Sequence, residues 1–253
     1  MQRDLSEELR RIYNCSPDEL LLHTARYERL LTLYRSRFSG QNPVFIVRAP
    51  GRVNLVGEHT DYNGYPVLPM AIDRDVVFIL GPRTDNTIEI INESPSFERR
   101  TFDARFPVAP YDQGDWGNYI KAAAHGILEA GWIDPKMAVG FQAVVGGTIP
   151  ESAGLSSSSA LVVASAIAFL AANGKEIKRE PLAELLARAE RYVGSEGGGN
   201  GPGCFPARGN RESTQDRFLS VANATNNLTR TSFLRRLQQS DPCAKEREYP
   251  LCL

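Results

Sequence analysis

The chain has 253 residues, a net charge of −1, 42% apolar and 23% charged residues, which allows one large domain or two small ones and gives no reason to expect a nucleic acid or an anionic membrane as partner. The opening MQRDLSEELRRIY has no apolar core and is not a secretory signal, and the longest apolar stretch, ALVVASAIAFLAA at 160–172, is too short to span a bilayer. Cys15, Cys204, Cys243 and Cys252 show no metal-like pairing and three of them follow residue 200, so a cytoplasmic location is expected.

Residues 4–39 carry leucines at helical spacing, and SPDE at 16–19 is a start signal with Ser16 as N-cap and Pro17 in the first turn. The runs FIV, RVNLV, VLPMAI and DVVFIL follow, rich in β-formers and separated by Gly, Pro, Asp and Asn, which predicts short strands joined by tight turns. TIEIINE at 87–93 alternates as a strand. NYIKAAAHGILEA at 118–130 is an amphipathic helix closed by Gly131. AVGFQAVVGG at 138–147 is a strand, and helices are predicted over 157–173 and 180–193. The expected fold is α+β, a mixed and mostly antiparallel sheet carrying helices, over 44–199. A helical extension precedes it at 1–43, and 200–253 is a tail of different character.

Two stretches carry chemistry. PESAGLSSSSA at 150–160 runs straight into an apolar helix; a small-residue turn opening a helix aims backbone N–H groups and the helix dipole at one anion. The same stretch also reads as a well-capped helix behind a flexible serine loop. It is not a Walker loop, because the Gly-Lys-Ser/Thr ending is missing. GRVNLVGEHTDYNGY at 51–65 groups Arg52, Asn54, Glu58, His59 and Asp61 between Gly51, Gly57 and Gly64. Carboxylates and an imidazole on neighbouring turns suit the hydroxyls of a sugar; a solvated polar hairpin is the plainer alternative. His23 and His125 are single histidines in helical patterns and read as structural.

Together, APGRVNLVGEHTDYNGY at 49–65 and PESAGLSSSSA resemble the two signatures of the galactokinase branch of the GHMP kinases, and the similarity runs from about Val44 to Gly199. The resemblance implies a GHMP N-terminal domain, with a mixed sheet and packed helices like the second domain of ribosomal protein S5. The implied reaction is ATP-dependent phosphorylation of galactose at its C1 hydroxyl. It also implies roles. Glu58, His59 and Asp61 hydrogen-bond the sugar, and Arg52 sits beside the reacting hydroxyl. Gly154, Leu155, Ser156, Ser157 and Ser158 wrap the ATP phosphates, while Ser158 and Glu190 hold Mg²⁺. The serine run and GSEGGG at 194–199 look more like the N-acetylgalactosamine kinase subgroup. The implied partners are a small sugar and ATP, with no nucleic acid and no membrane, and the protein is expected to be a monomer.

After Gly199 the pattern breaks. The family closes this segment with a GGGMDQ-like string whose Asp is the expected catalytic base; here Asn200, Gly201 and Pro202 follow, and Gly201 stands at the Asp position. Codons for NGPG read one base later permit Met-Asp-Gln and then Ala-Ala, and those of DRFLSVAN at 216–223 permit Ile-Asp-Phe-x-Pro-Leu-Arg. The expectation is therefore an out-of-frame tail without fixed structure, with the family's second domain, roughly 150–200 residues on ordinary domain sizes, missing. A genuine alternative C-terminus is the competing account, and a kinase-derived sugar and nucleotide sensor without turnover is the competing function. The helices at 157–173 and 180–193 are then expected to leave apolar surface exposed, with low stability and association as the consequence.

Overall fold

The computed structural model describes residues 2–39, 41–56, 68–150, 153–189, 192 and 220–223. Helix α1 (Gln2–Tyr13) leads into α2 (Pro17–Arg37), which starts where the sequence signals it. The Glu19 N–H donates to Ser16 Oγ at 3.4 Å, and the Ser16 N–H donates back to the Glu19 carboxylate at 2.8 Å. This reciprocal pair satisfies two N–H groups that helix geometry leaves open.

Among the described residues six strands form one sheet: β1 (Phe45–Val56), β2 (Leu68–Pro82), β3 (Thr87–Asn92), β4 (Arg100–Asp103), β5 (Phe141–Gly147) and β6 (Ser220–Asn223), in the order β4-β3-β5-β2-β1-β6. Every neighbouring pair is antiparallel except β3 with β5. This is the mixed, mostly antiparallel sheet expected. The strands differ from the sequence reading in four places: the short β4 (Arg100–Asp103), paired with β3, was not expected, and the other three differences each have a physical reason. FIV and RVNLV are one strand, because Pro50 and Gly51 are absorbed as an irregularity in the ladder rather than as a turn. VLPMAI and DVVFIL likewise merge into β2, which runs on through Asp73 and Arg74. No element was expected after 199, yet Ser220–Asn223 pairs along Phe45–Arg48. Pairing on a sheet edge uses backbone groups, so it requires no side-chain pattern that a sequence could display.

Alternation along the strands sends side chains to two separate cores. Val76, Phe78 and Leu80 of β2 join Val47, Ala49, Ala143 and Val145 under α3 (Gly117–Glu129), α4 (Ser157–Ala172) and α5 (Arg179–Ala189). Val77 and Ile79 turn the other way, with Ile46 and Val144, to meet Tyr27, Leu30, Leu31 and Tyr34 of α2. The sheet is therefore sandwiched between helices, which explains why DVVFIL is apolar at every position after its Asp. Helix α3 ends at Glu129 with Ala130 as its C-cap, followed by Gly131 at φ +70°, as its glycine signalled.

The expectation that the late helices leave apolar surface uncovered is not met. Val162, Val163, Ile167, Phe169 and Leu170 of α4 are buried, as are Leu182, Leu185 and Leu186 of α5. Both helices pack within this domain, α5 against α3. The exposed large apolar residues lie elsewhere, including Leu21 and Leu22 on α2 and Leu55, Val56, Leu68 and Met70 where β1 and β2 pair. Among the described residues no helix is long and apolar enough to cross a membrane.

Candidate active site

Strand β1 carries the first signature. Its ladder with β2 shifts register between Pro50 and Arg52 and again between Asn54 and Val56, and between these shifts Arg52, Val53 and Asn54 pair regularly with Ala71, Met70 and Pro69. Gly51 lies against the second signature: a Cβ built on it would fall 2.8 Å from the Leu155 carbonyl oxygen and 3.1 and 3.2 Å from the Cδ1 atoms of Ile149 and Ile72. Only a residue without a side chain lets the strand come this close. The next backbone group completes the junction, the Arg52 N–H donating to the Leu155 carbonyl at 3.2 Å. Two signatures a hundred residues apart in sequence thus meet backbone to backbone.

The second signature is a turn followed by α4. Gly154 takes φ +70° and is exposed, and Ser156 is left-handed at φ 59° and ψ 44°. Ser156 occupies the N-cap position but its hydroxyl makes no cap hydrogen bond, although its carbonyl accepts the Ala160 N–H at 3.0 Å. The well-capped-helix alternative therefore loses its main support. Ser157 and Ser158 lie half-buried in the first turn of α4. First-turn N–H groups have no partner within their own helix, and the helix dipole concentrates about half a positive charge there. An anion is the natural complement of that end.

Of the expected site residues, Arg52, Gly154, Leu155, Ser156, Ser157 and Ser158 are thus placed around one junction, and Arg52 is half-buried. Glu58, His59, Asp61, Glu190 and Gly201 lie outside the described residues, as do Gly57 and Gly64. Among the described residues no group of three or more His, Cys, Asp and Glu side chains could hold a metal ion. The oxygen chemistry of Ser158 suits a hard cation such as Mg²⁺.

A buried polar network behind β1 and β2 was not anticipated. Asp75, fully buried on β2, accepts from Arg26 Nη1 of α2 at 2.6 Å, from Tyr13 of α1 at 2.6 Å, and from Arg48 Nε of β1. Its own N–H donates to Thr148 Oγ1 at 3.1 Å, and Arg26 Nη2 donates to the Gly146 carbonyl at 3.3 Å. The Arg48 guanidinium also lies 4.7 Å over the Tyr13 ring. Burial works against both arginine charges, and the Asp75 carboxylate together with Tyr13 and Tyr27 more than offsets it, so both pKa values rise. Burial, then Asp75, pushes the Tyr13 phenol up to about 12. The sequence signal was present in lone charges within apolar runs, Arg48 in FIVRAP and Asp75 heading DVVFIL. His23 stacks on Tyr13 at 3.6 Å between ring centroids, and His125 lies between Phe106 and Tyr192.

Both signatures match known proteins in sequence, and the fold matches a solved structure. Residues 32–82 match the galactokinase galactose-binding signature, and residues 118–205 match the GHMP kinase N-terminal domain. Galactokinase from Dictyostelium discoideum is 36% identical over 179 residues, covering 69% of this chain and 36% of that protein. Galactokinase from Candida maltosa is 34% identical over 179 residues, covering 69% of this chain and 83% of that sequence. Among solved structures, Lactococcus lactis galactokinase complexed with galactose superposes with a TM-score of 0.62 at 30% identity, over 68% of this chain and 44% of that one. Against the Dictyostelium protein the chain spans about a third of the relative's length. The two signatures, their meeting at Gly51 and Leu155, and these matches place the chain in the galactokinase branch of the GHMP kinase family.

Proposed function

We propose that this chain carries the sugar- and ATP-binding half of an enzyme that transfers the γ-phosphoryl group of ATP to the C1 hydroxyl of galactose. The observation that carries the reading is the Arg52 N–H to Leu155 carbonyl bond, which fixes the sugar signature against the phosphate loop. Phosphoryl transfer requires that acceptor and donor be held in line and that developing charge be neutralised. In this reading Glu58, His59 and Asp61 hold the sugar hydroxyls, and the fixed charge of Arg52 faces the reacting centre. The backbone N–H groups of 154–158 bind phosphate oxygens. Ser158 and Glu190 supply oxygen ligands for Mg²⁺, which neutralises phosphate charge when bound. The protein acts as a monomer in the cytoplasm, where both substrates are soluble.

The polypeptide as written has Gly201 where the base is expected, and we propose that the residues after Gly199 are read one base out of frame. The chain then binds its ligands without turning them over. Titration of the purified chain with galactose, N-acetylgalactosamine, glucose and MgATP tests this, with ADP release followed in parallel. The expected result is binding of MgATP and of galactose in preference to glucose, with ADP release at background. A stronger response to N-acetylgalactosamine would reassign the sugar, and failure to bind either ligand would overturn the reading.

A further inference from the structure

Asn54 stands two residues after Arg52, and the ladder from 52 to 54 is regular, so both side chains leave β1 on the same face. Register shifts bracket this stretch on both sides. Such irregularities re-aim side chains and recur beside active sites. Both polar atoms of the Asn54 carboxamide, Nδ2 and Oδ1, are buried, and neither has a hydrogen-bond partner among the described residues. Arg26, Asn86 and His125 each leave one buried side-chain atom unpaired, whereas Asn54 leaves a donor and an acceptor together. Across the strand its partner is Pro69, which has no N–H to offer. A carboxamide left in this condition bears the desolvation cost of two groups with no return from the fold.

The chemistry of the missing partner is constrained. A phosphate offers only acceptors, so Oδ1 would face negative charge, and an apolar group would satisfy neither atom. A pair of neighbouring hydroxyls, each able to donate and accept, satisfies both atoms at once. We propose that Asn54 is a sugar-contacting residue, its Nδ2–H donating to one hydroxyl and its Oδ1 accepting from the adjacent one, on the face of β1 that carries Arg52. This rests on the sugar-kinase reading above and adds a selectivity element to it: a site that hydrogen-bonds a hydroxyl discriminates against the analogue lacking it.

The test uses the full chain with Asn54→Leu, close in shape but without polar atoms, and Asn54→Ser, which keeps one. Thermal unfolding without ligand, galactose and MgATP titrations, and a series of monodeoxygalactoses are the readouts. Asn54→Leu is expected to melt at or above the wild-type temperature and to bind MgATP as the wild type does. It should bind galactose at least tenfold more weakly, with Asn54→Ser in between. One monodeoxygalactose should bind weakly to the wild type and no worse than galactose to Asn54→Leu. Equal galactose affinity in Asn54→Leu and the wild type overturns the proposal, with water as the partner. A marked drop in melting temperature in both variants also overturns it, assigning the carboxamide to the fold. Wild-type chain that binds MgATP but no sugar removes the sugar reading itself, an outcome distinct from sugar binding that ignores Asn54.

Discussion

The Arg52 N–H donates to the Leu155 carbonyl oxygen at 3.2 Å, one residue after Gly51 passes the same oxygen with no room for a Cβ. Strand β1 and the loop before α4 are therefore set by one contact, and a change on the strand is felt at the loop. Gly51→Ala places a methyl group 2.8 Å from the Leu155 oxygen. Overpacking of this kind costs about 1–3 kcal/mol, and each kcal/mol lowers the melting temperature of a domain this size by about 2–4 °C. Calorimetry should show that loss, and MgATP titration should show weaker binding although Gly51 lies on the sugar strand. Unchanged nucleotide affinity in a folded Gly51→Ala protein would break the link.

Gly154 tests the loop by a different route. Among the described residues nothing lies within 4 Å of a Cβ built there, so they leave room for bulk, but φ is +70°. An L-residue held in that region costs about 1–2 kcal/mol, more when β-branched and less for Asn. Gly154→Val should weaken MgATP binding about tenfold or more by changing the turn and by blocking phosphate approach. Gly154→Asn, which keeps the turn, should lose less, and galactose affinity should hold in both. Equal nucleotide affinity in Gly154→Val and the wild type would remove the loop assignment.

Asp75 neutralises two buried guanidinium groups at once, which sets a large stability difference between ion pairs in the same molecule. Asp75→Asn removes the buried carboxylate that Arg26 and Arg48 share, and breaking a buried pair from one side costs about 3–5 kcal/mol. Arg29 and Glu93 form a pair at 2.6 Å whose arginine is 61% exposed, and exposed pairs contribute about 0–1 kcal/mol. Urea unfolding of Asp75→Asn and Glu93→Gln should reproduce that contrast. Similar losses in the two would mean that the buried network adds nothing beyond a surface pair.

The same network has an alkaline signature. The Tyr13 phenol is raised from 10.0 to about 12 in the folded chain, by burial first and by Asp75 next. The folded state then holds this proton more tightly than the unfolded one, so its contribution is complete below pH 10 and is lost as pH rises through about 12. Stability should fall across that window, and Tyr13→Phe should flatten the fall without abolishing it, because Tyr27 and Tyr192 are raised too. Urea midpoints measured from pH 8 to pH 12 check this; identical slopes would exclude Tyr13 as a contributor.

The sequence displayed what local chemistry determines. Ser16 and Glu19 cap α2, Gly131 follows α3, and the serine run opens α4, because each needs only neighbours in sequence. What it did not display depends on residues brought together by the fold. Pro50 and Gly51 look like a turn until β2 pairs past them, and the reason for Gly51 is a carbonyl about a hundred residues away. Arg26, Arg48 and Asp75 look like separate charges until α2, β1 and β2 converge. The cover over α4 is hidden from the sequence for the same reason, since its apolar faces meet α3 and the sheet, which are distant along the chain.

As written, the chain should show sugar-dependent ADP release no higher than background. No carboxylate occupies the expected base position at Gly201, and general-base help is typically worth ~10²–10⁴ in rate. Gly201→Asp alone should not restore turnover, because a frame error changes every residue after it. Deleting one base between the Gly199 and Asn200 codons should restore Met-Asp-Gln and open a longer reading frame. Its product should consume ATP when given galactose or N-acetylgalactosamine. In that product, replacing the restored Asp by Asn should abolish turnover while leaving MgATP binding intact, which separates the base from the phosphate loop. An early stop in the edited frame, or a full-length product silent on both sugars, would defeat the frame proposal and leave the tail as a C-terminus in its own right.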